Sequence, residues 1–258
     1  MRPEFLKFAR RPDARLDPAE GALLIAVEEQ PGLDPAATRT ALDAMAAQAP
    51  GTLDRFNDFF FHTLGFRGNT ADYYDPSNSH LNFVLEHRIG IPITLSIVYC
   101  HLAGRAGLQA KGVGFPGRYL VRCERRLVDC FEGRIIERRE CQALLDRFYG
   151  GRVKVTDDLL RPSGNRDTLV RVLTNLKGIY LGRADADSAL RIVELAETLQ
   201  PGLPENARDR GVALLQRQEY GRALEALGDY LKLSPRAADA DDVRAHIAAT
   251  RKLLVSLN

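Results

Sequence analysis

Cysteine and histidine side chains are the first candidates for nucleophilic or metal chemistry in this 258-residue chain. The four cysteines are Cys100, Cys123, Cys130 and Cys141. None of them forms a C-x-x-C pair, so their spacing does not favour a zinc site or a thioredoxin-like motif. His80 and His87 are seven residues apart, whereas a helical metal pair is spaced by four. The sequence therefore predicts four free thiols, no bound metal and no cofactor.

A stretch of β-favouring residues, GFPGRYLVRC at positions 114–123, places a large cation, Arg118, just after a Pro-Gly turn. The surrounding segments AKGVGF, RYLVRC, RLVDC and RII alternate in the manner of strands, and the middle two are predicted to form a hairpin. The sequence therefore predicts a small antiparallel sheet over residues 109–136.

The hairpin relates Arg118 to the one carboxylate in these strands, Asp129. With a two-residue turn assumed at Arg125 and Arg126, Arg122 lies opposite Asp129. Side chains alternate along a strand, so Arg118, Arg122 and Asp129 share one face of the sheet. Two interpretations follow: Arg118 pairs with Asp129, or Arg118 faces solvent while Arg122 makes that pair.

Helical patterns flank the predicted sheet. Two Asp-Pro dipeptides, at 17–18 and 34–35, are typical of an N-cap followed by the first helical residue. A short helix is expected over 79–87, and the segment 88–92 is a break. The helix expected over 93–105 is apolar around most of its circumference, which is typical of a buried helix.

The C-terminal part contains an internal repeat of 34 residues, because Ala189 and Pro201 recur as Ala223 and Pro235. This period with a helix–turn–helix pattern is the tetratricopeptide signature. The positions predicted to pack between the helices or to end them are Leu173, Tyr180, Ala189, Pro201, Gly211, Ala223 and Pro235. Two divergent repeats followed by a capping helix are expected, and an ordinary four-helix bundle is the alternative.

The expected domain organisation follows from these patterns. Residues 1–151 form an α+β domain with a helical N-terminal part. Residues 152–166 form a linker, since this stretch contains Pro, Ser, Gly and Asn in succession. Residues 167–258 form an all-α repeat domain.

Composition excludes some classes of partner. The chain has 36 basic and 34 acidic residues, a net charge of +2, so there is no electrostatic reason to expect nucleic acid. No apolar run has signal-peptide or membrane-span length. A cytoplasmic protein without a membrane partner is therefore expected.

The stretch YYDPSNSHLNFVLEHRIGIPITLSIVYCHLAGRAGLQAKGVGFPGRYLV, followed by VDCFEGRII and the repeats, resembles the bacterial proteins known as regulators of sirC expression. The resemblance covers roughly residues 20–235. It implies a transglutaminase-like core of the papain-like cysteine-protease type, with a buried helix and a small antiparallel sheet, followed by tetratricopeptide repeats. Enzymes of that superfamily use a Cys–His–Asp triad, with the cysteine opening the buried helix.

The positions that the resemblance assigns to this triad do not hold a complete one. The nucleophile position falls at Pro92 to Thr94, where Thr94 carries the only hydroxyl, and Cys100 lies about two turns further into the helix. The histidine position after Pro-Gly is Arg118, whose pKa above about 12 prevents it from acting as a base. Only Asp129 matches the triad.

Other polar residues in and beside the short helix and the break follow the family pattern. They are candidates to line the cleft in which enzymes of the superfamily hold their triad. With Arg122, these binding candidates are Asn78, Ser79, Asn82, Glu86 and Arg88. Asn78 and Ser79 are interpreted as a helix cap.

Three functions remain open at this point. The first is a non-catalytic interaction or regulatory protein, whose repeats bind a protein or peptide partner in a concave groove. The second is a hydrolase or acyltransferase with an unconventional nucleophile such as Thr94 and a base such as His80 or His87. The third is a structural subunit of a larger complex.

Overall fold

The structure is a computed structural model that describes residues 2–257, and the side chains of residues 2–255. The chain forms two compact units; the first ends at Val172 and the second begins at Leu173. The helices of the first unit are α1 (Pro3–Ala9), α2 (Pro18–Glu29), α3 (Pro35–Ala46), α4 (Leu53–Asp58), α5 (Leu81–His87), α6 (Pro92–Arg105) and α7 (Arg138–Tyr149). Its strands are β1 (Arg67–Gly68), β2 (Ile89–Gly90), β3 (Ala110–Val113), β4 (Leu120–Cys123), β5 (Arg126–Asp129) and β6 (Arg134–Ile136).

Helix α8 (Asn165–Gly182) begins before the division between the units and ends after it. The helices that follow are α9 (Ala186–Leu199), α10 (Pro204–Gln216), α11 (Tyr220–Leu233) and α12 (Ala240–Leu257). None of the helices that the structure describes is both long enough and apolar enough to cross a membrane.

Helix α6 forms the centre of the first unit and packs against α2, α3, β3 and β4. Its Tyr99 is fully buried, with the ring edge-on to Phe56 at a centroid distance of 4.8 Å and to Phe60 at 5.0 Å. The Tyr99 hydroxyl donates to Asn57 Oδ1 at 2.6 Å, which satisfies the one polar atom of this aromatic cluster. Helix α6, which is apolar on nearly all sides, is thus buried between the neighbouring helices and the sheet.

The four-stranded sheet is antiparallel, with the strand order β3-β4-β5-β6. Cys123 pairs with Arg126, so the hairpin turn is Glu124-Arg125, and the predicted turn at Arg125-Arg126 is wrong. Glu124 adopts the left-handed conformation that the turn needs, at φ 52°. It is held there because its N–H donates to the carbonyl of Gln109 and its carboxylate accepts the Gln109 N–H, both at 2.8 Å.

The stretch at residues 152–166 is irregular, but it packs as part of the first unit and is not a free linker. It contains one short 3₁₀ turn, Asp158–Leu160, and Leu160 is buried with Phe115 and Leu120. Ser163 donates its N–H to the Gly112 carbonyl at 2.8 Å. The stretch packs on the first unit because the apolar side chains that it carries between its Pro and Gly residues cover one face of the sheet.

In the second unit the repeat positions lie where helices meet. Leu173, Ala189 and Ala223 are buried, and Tyr180 packs against Ala189. Pro201 and Pro235 each lie two residues beyond the end of a helix, α9 and α11.

Gly211 on α10 lies where this helix closely approaches α11. A Cβ there would lie 2.6 Å from the Cγ and Cδ2 atoms of Leu227 on α11, whereas one at Gly228 would meet nothing within 4 Å. We expect Gly211→Val to lower the free energy of unfolding by about 1–3 kcal/mol through overpacking. Gly228→Val should change it by less than about 0.5 kcal/mol, since only helix propensity differs.

Chemical denaturation of the two variants measures this difference. Equal losses of stability in both would contradict the assignment of Gly211 as the contact between the helices.

Candidate functional site

The first turn of α6 occupies the position where the resemblance places a nucleophile. Pro92 is the first helical residue, and Thr94 is fully buried in this turn. The Thr94 hydroxyl donates to the carbonyl oxygen of Asn78 at 2.7 Å and accepts the N–H of Ile91 at 3.3 Å. Its partners are therefore backbone groups that hold it inside the protein. This threonine ties the start of α6 to the backbone of Asn78 and Ile91.

The structure brings together the other two triad positions, Arg118 and Asp129. Nε of Arg118 lies 3.3 Å from Oδ2 of Asp129, and a terminal nitrogen of Arg118 donates to Glu132 Oε1 at 3.1 Å. The Arg118 guanidinium also lies over the ring of Phe131, 5.2 Å from its centroid. Arg118 thus fills the position of the base with a cation that has two carboxylate partners and an aromatic surface.

Asp129 is nearly inaccessible, with 2% of its side chain exposed. Its Oδ1 accepts the backbone N–H groups of Phe131 at 3.0 Å and Glu132 at 3.1 Å. Burial raises the pKa of Asp129, and the charge of Arg118 and the two N–H donors oppose that rise. The carboxylate therefore depends on Arg118 for its charge compensation.

Arg122 does not compete for Asp129, so the interpretation in which Arg118 is solvated and Arg122 makes the pair is wrong. The register places Arg122 opposite Leu127. Its guanidinium donates to the carbonyl of Leu160 at 2.8 Å, in the segment that covers the sheet.

A cavity of 280 Å³ lies beside the Arg118–Asp129 pair. Its charged lining residues are Arg118, Asp129, Glu132, Arg134, Glu140 and Arg147. Three cations and three carboxylates balance one another, and Arg134 and Glu140 form an ion pair at 2.6 Å. The cavity can bind a polar group, but its lining contains neither a nucleophile nor a base in the triad arrangement.

The binding candidates of the 78–88 segment do not line this cavity. The Asn78 amide donates to the carbonyl of Asp72, and the cap of the 3₁₀ turn is Asp75, so Asn78 and Ser79 are not the cap that the pattern suggested. Ser79 is buried, and its hydroxyl has no hydrogen-bond partner.

The other three candidates make structural contacts elsewhere. Asn82 donates to Gln30 at 3.0 Å, and Glu86 is exposed. Arg88 adopts a left-handed conformation after α5 and lies over the ring of Phe66 at 5.1 Å. Asn82 and Arg88 therefore join α5 to its neighbours, whereas Glu86 faces solvent.

The two histidines considered as bases also have other roles. Nε2 of His80 lies 3.2 Å from Oε2 of Glu29, and both side chains are buried. The exposed His87 ring stacks on Phe83 with a centroid distance of 4.1 Å. Neither contact brings a histidine to Thr94.

The cysteines are all unpaired, and Cys123, Cys130 and Cys141 are buried. Burial raises the pKa of each thiol, to about 12 for Cys100. Within the part of the chain that the structure describes, no group of three or more His, Cys, Asp or Glu side chains could hold a metal ion.

Sequence reasoning missed Glu132 and Phe131, the remaining partners of Arg118. The signal was present: an aspartate followed four residues later by Gly133 is typical of a turn in which the carboxylate accepts nearby N–H groups. That turn carries both residues back toward Arg118.

Comparison with known proteins agrees with this architecture. The transglutaminase-like superfamily matches residues 27–174, and a tetratricopeptide repeat family matches residues 176–248. A UPF0162 protein of Xylella fastidiosa (strain Temecula1) is 34% identical over 244 residues, covering 88% of this chain and 87% of the relative. A UPF0162 protein of Vibrio cholerae is 28% identical, covering 76% and 74%. No solved structure matches the chain.

A more distant similarity concerns part of the chain. The human F-box only protein 21 is 32% identical over 130 residues, which cover 44% of this chain and 21% of that protein.

The contact between Arg118 and Asp129 predicts a titration. We expect Arg118→Gln to raise the pKa of Asp129 further, because the opposing positive charge is removed. A carboxyl with a raised folded-state pKa holds its proton more tightly when folded, so stability falls as pH rises through that pKa. This loss of stability with rising pH should be larger in Arg118→Gln than in the natural chain. Carboxyl ¹³C NMR of Asp129 measures the shift.

Arg122→Gln is the matched control for this titration. This variant also removes an arginine side chain close to Asp129 in sequence, but the Arg122 guanidinium contacts the Leu160 carbonyl and not Asp129. The Asp129 pKa should stay unchanged in this variant. An equal shift in both variants would mean that the local pair does not control the titration.

The burial of the thiols predicts low reactivity. We expect iodoacetamide at pH 7.5 to modify all four cysteines of the folded chain more slowly than those of the unfolded chain, since the thiolate is the reactive form. Mass spectrometry of a labelling time course gives each rate. A cysteine labelled faster in the folded chain than in denaturant would contradict the absence of an activated nucleophile.

Proposed function

Because the chain belongs to the transglutaminase-like superfamily, within the family of bacterial UPF0162 proteins, we propose that it is a non-catalytic member that acts by binding a protein partner. The repeats are the proposed interaction region, and regulation of the partner is the proposed outcome. The four unpaired thiols support a reducing compartment such as the cytoplasm as its location.

The observation that carries this proposal is the state of the triad positions. Arg118 stands where a base is needed and is held by Asp129 and Glu132. An arginine remains protonated at neutral pH and cannot accept the proton of a nucleophile. Thr94, at the nucleophile position, has a buried hydroxyl bonded to backbone groups. Together these contacts support a cleft that has lost acyl-transfer and hydrolytic chemistry.

A groove of the second unit supports the proposed interaction. A cavity of 490 Å³ lies between α9, α10 and α11. Its apolar lining residues are Leu203, Ala207, Leu214, Ala226 and Leu233. Its charged residues are Glu197, Arg210, Arg222, Glu225 and Asp229. An apolar floor with a charged rim is the anatomy of a peptide-binding surface.

An activity assay tests the catalytic half of the proposal. The full chain is incubated with a glutamine-containing protein and a fluorescent primary amine, and both amine incorporation and peptide hydrolysis are measured. We expect no turnover by the natural chain, by Thr94→Ser or by Thr94→Val. The Val variant should lose only stability, about 1–3 kcal/mol, because the Asn78 carbonyl and the Ile91 N–H lose this buried partner. Turnover by the natural chain that Thr94→Val abolishes would contradict the proposal and show that the protein is an enzyme.

A capture experiment tests the interaction half. The tagged full chain is expressed in its own bacterium, and co-purifying proteins are quantified. Leu233 lines the groove and is 57% exposed, so Leu233→Asp should reduce recovery of a specific partner at least about tenfold. Val255, 79% exposed and outside the groove, provides the control Val255→Asp, which should retain it. Equal recovery with both variants would contradict binding through this groove.

A further inference from the structure

A second cavity of the first unit, of 330 Å³, lies apart from the triad positions. The start of α2, one side of α6, strand β3 and the start of α8 form its walls, and Thr94, Arg118 and Asp129 do not line it. Its size is at the lower end of the range of about 300–1,000 Å³ that is usual for ligand sites. The proposed function does not use it.

One wall is the open edge of the sheet. Strand β3 pairs only with β4 in the sheet, and the Glu124 N–H bond to Gln109 shows which residues of β3 face β4. Backbone groups alternate in direction along an antiparallel strand, so Ala110 and Gly112 direct theirs outward. Ser163 donates its N–H to the carbonyl of Gly112. Among the described residues, the N–H and carbonyl of Ala110 and the N–H of Gly112 remain to pair with a further group.

The opposite wall carries a carboxylate. Asp17 caps α2 by accepting the N–H of Ala19 at 2.9 Å, and half of its side chain is exposed. Its Oδ2 lies 3.7 Å from Nδ1 of His101 on α6. Burial acts to raise the pKa of Asp17, but His101 and the N–H of Ala19 outweigh it and hold the pKa below its usual value. The carboxylate is therefore negatively charged at neutral pH.

The remaining lining contains neutral polar groups and one exposed cation, Lys111. A Cβ at Gly112 would lie 2.3 Å from the Tyr119 hydroxyl, so the glycine lets this hydroxyl approach the sheet edge. The Tyr119 hydroxyl bonds to that of Thr168 at 2.7 Å. Nε2 of His101 is buried without a hydrogen-bond partner. The Asp17 carboxylate, the Ala110 carbonyl and the Gly112 N–H thus lie in one cavity, with Lys111 as the lysine of its lining.

We propose that this cavity binds the first residue of a peptide, or an amino-acid amide, through its free α-ammonium group. The ammonium pairs with Asp17 and donates to the carbonyl of Ala110, and the ligand carbonyl accepts the N–H of Gly112. A residue added to an open strand in parallel orientation makes this pair of backbone bonds. A free carboxylate in place of the ligand amide would be repelled by Asp17.

Calorimetric titration of the full chain with L-alaninamide tests the site. N-acetyl-L-alaninamide, which lacks the ammonium group, should bind at least about tenfold more weakly, since a hydrogen-bonded charge pair is lost. Asp17→Asn should weaken binding of L-alaninamide by the same factor. Asparagine caps helices as well as aspartate does, so α2 should keep its start.

Asp34→Asn is the matched control. Asp34 precedes a proline and caps α3 through the N–H of Ala36 at 2.9 Å, as Asp17 caps α2, but it does not line the cavity. Binding should be unchanged in this variant.

Three results would overturn the proposal: no binding of L-alaninamide, equal binding of the acetylated compound, or full binding by Asp17→Asn. The comparison of the two compounds needs no variant, so it decides the matter even if Asp17→Asn fails to fold. None of these results depends on the catalytic state of the cleft or on the partner of the repeats.

Discussion

The buried carboxylate of Asp129 is the constraint on which the first unit's cleft depends. Removing one member of a buried ion pair generally costs about 3–5 kcal/mol, because the remaining charge has no compensation. Two backbone N–H groups and the Arg118 guanidinium supply that compensation here. The end of β5, the turn that follows it and the start of β4 must therefore stay in register with one another.

This requirement also explains why an arginine can occupy the position of a base without loss of the fold. A histidine beside Asp129 would give one ring nitrogen to the carboxylate and leave the other for chemistry. Arg118 instead uses Nε for Asp129 and a terminal nitrogen for Glu132, and places its flat surface on Phe131. The contact that orients a base thus becomes a structural pair. An arginine at this position preserves the contact with Asp129 but, being protonated at neutral pH, cannot accept a proton.

The sequence predicted the fold class and placed Arg118 and Asp129 on one face of the sheet, but it left open whether Arg118 or Arg122 pairs with Asp129. The observed turn lies one residue before the assumed one, which shifts the pairing of β4 with β5 by two residues. Side-chain direction along a strand repeats every two residues, so this shift leaves each side chain on its predicted face. Arg118 therefore kept its predicted face, whereas Arg122 lost Asp129 as a partner and reached Leu160. The observed turn is held by the hydrogen bonds between Glu124 and Gln109. These residues are 15 positions apart, so no local sequence pattern indicates the contact.

Long-range packing explains the other differences between prediction and structure. Residues 152–166 have the composition of a linker, and only the exposed apolar face of the sheet makes Leu160 part of a core. The cavity beside β3 combines Asp17, His101 and Gly112, which belong to different elements, so no spacing in the sequence brings them together.

The two cavities of the first unit differ in what a ligand would have to displace. Beside Arg118 each carboxylate has a cation near it, so a charged ligand must break an existing ion pair before it gains a new one. Beside β3 the Ala110 carbonyl and the Gly112 N–H have no partner among the described residues, and the half-exposed Asp17 carboxylate lies 3.7 Å from His101. A ligand there gains bonds to free backbone groups, and the contact that it must share is the longer one between Asp17 and His101, which is the less costly exchange. The loss of catalysis that we propose beside Arg118 therefore does not determine whether the cavity beside β3 binds a ligand.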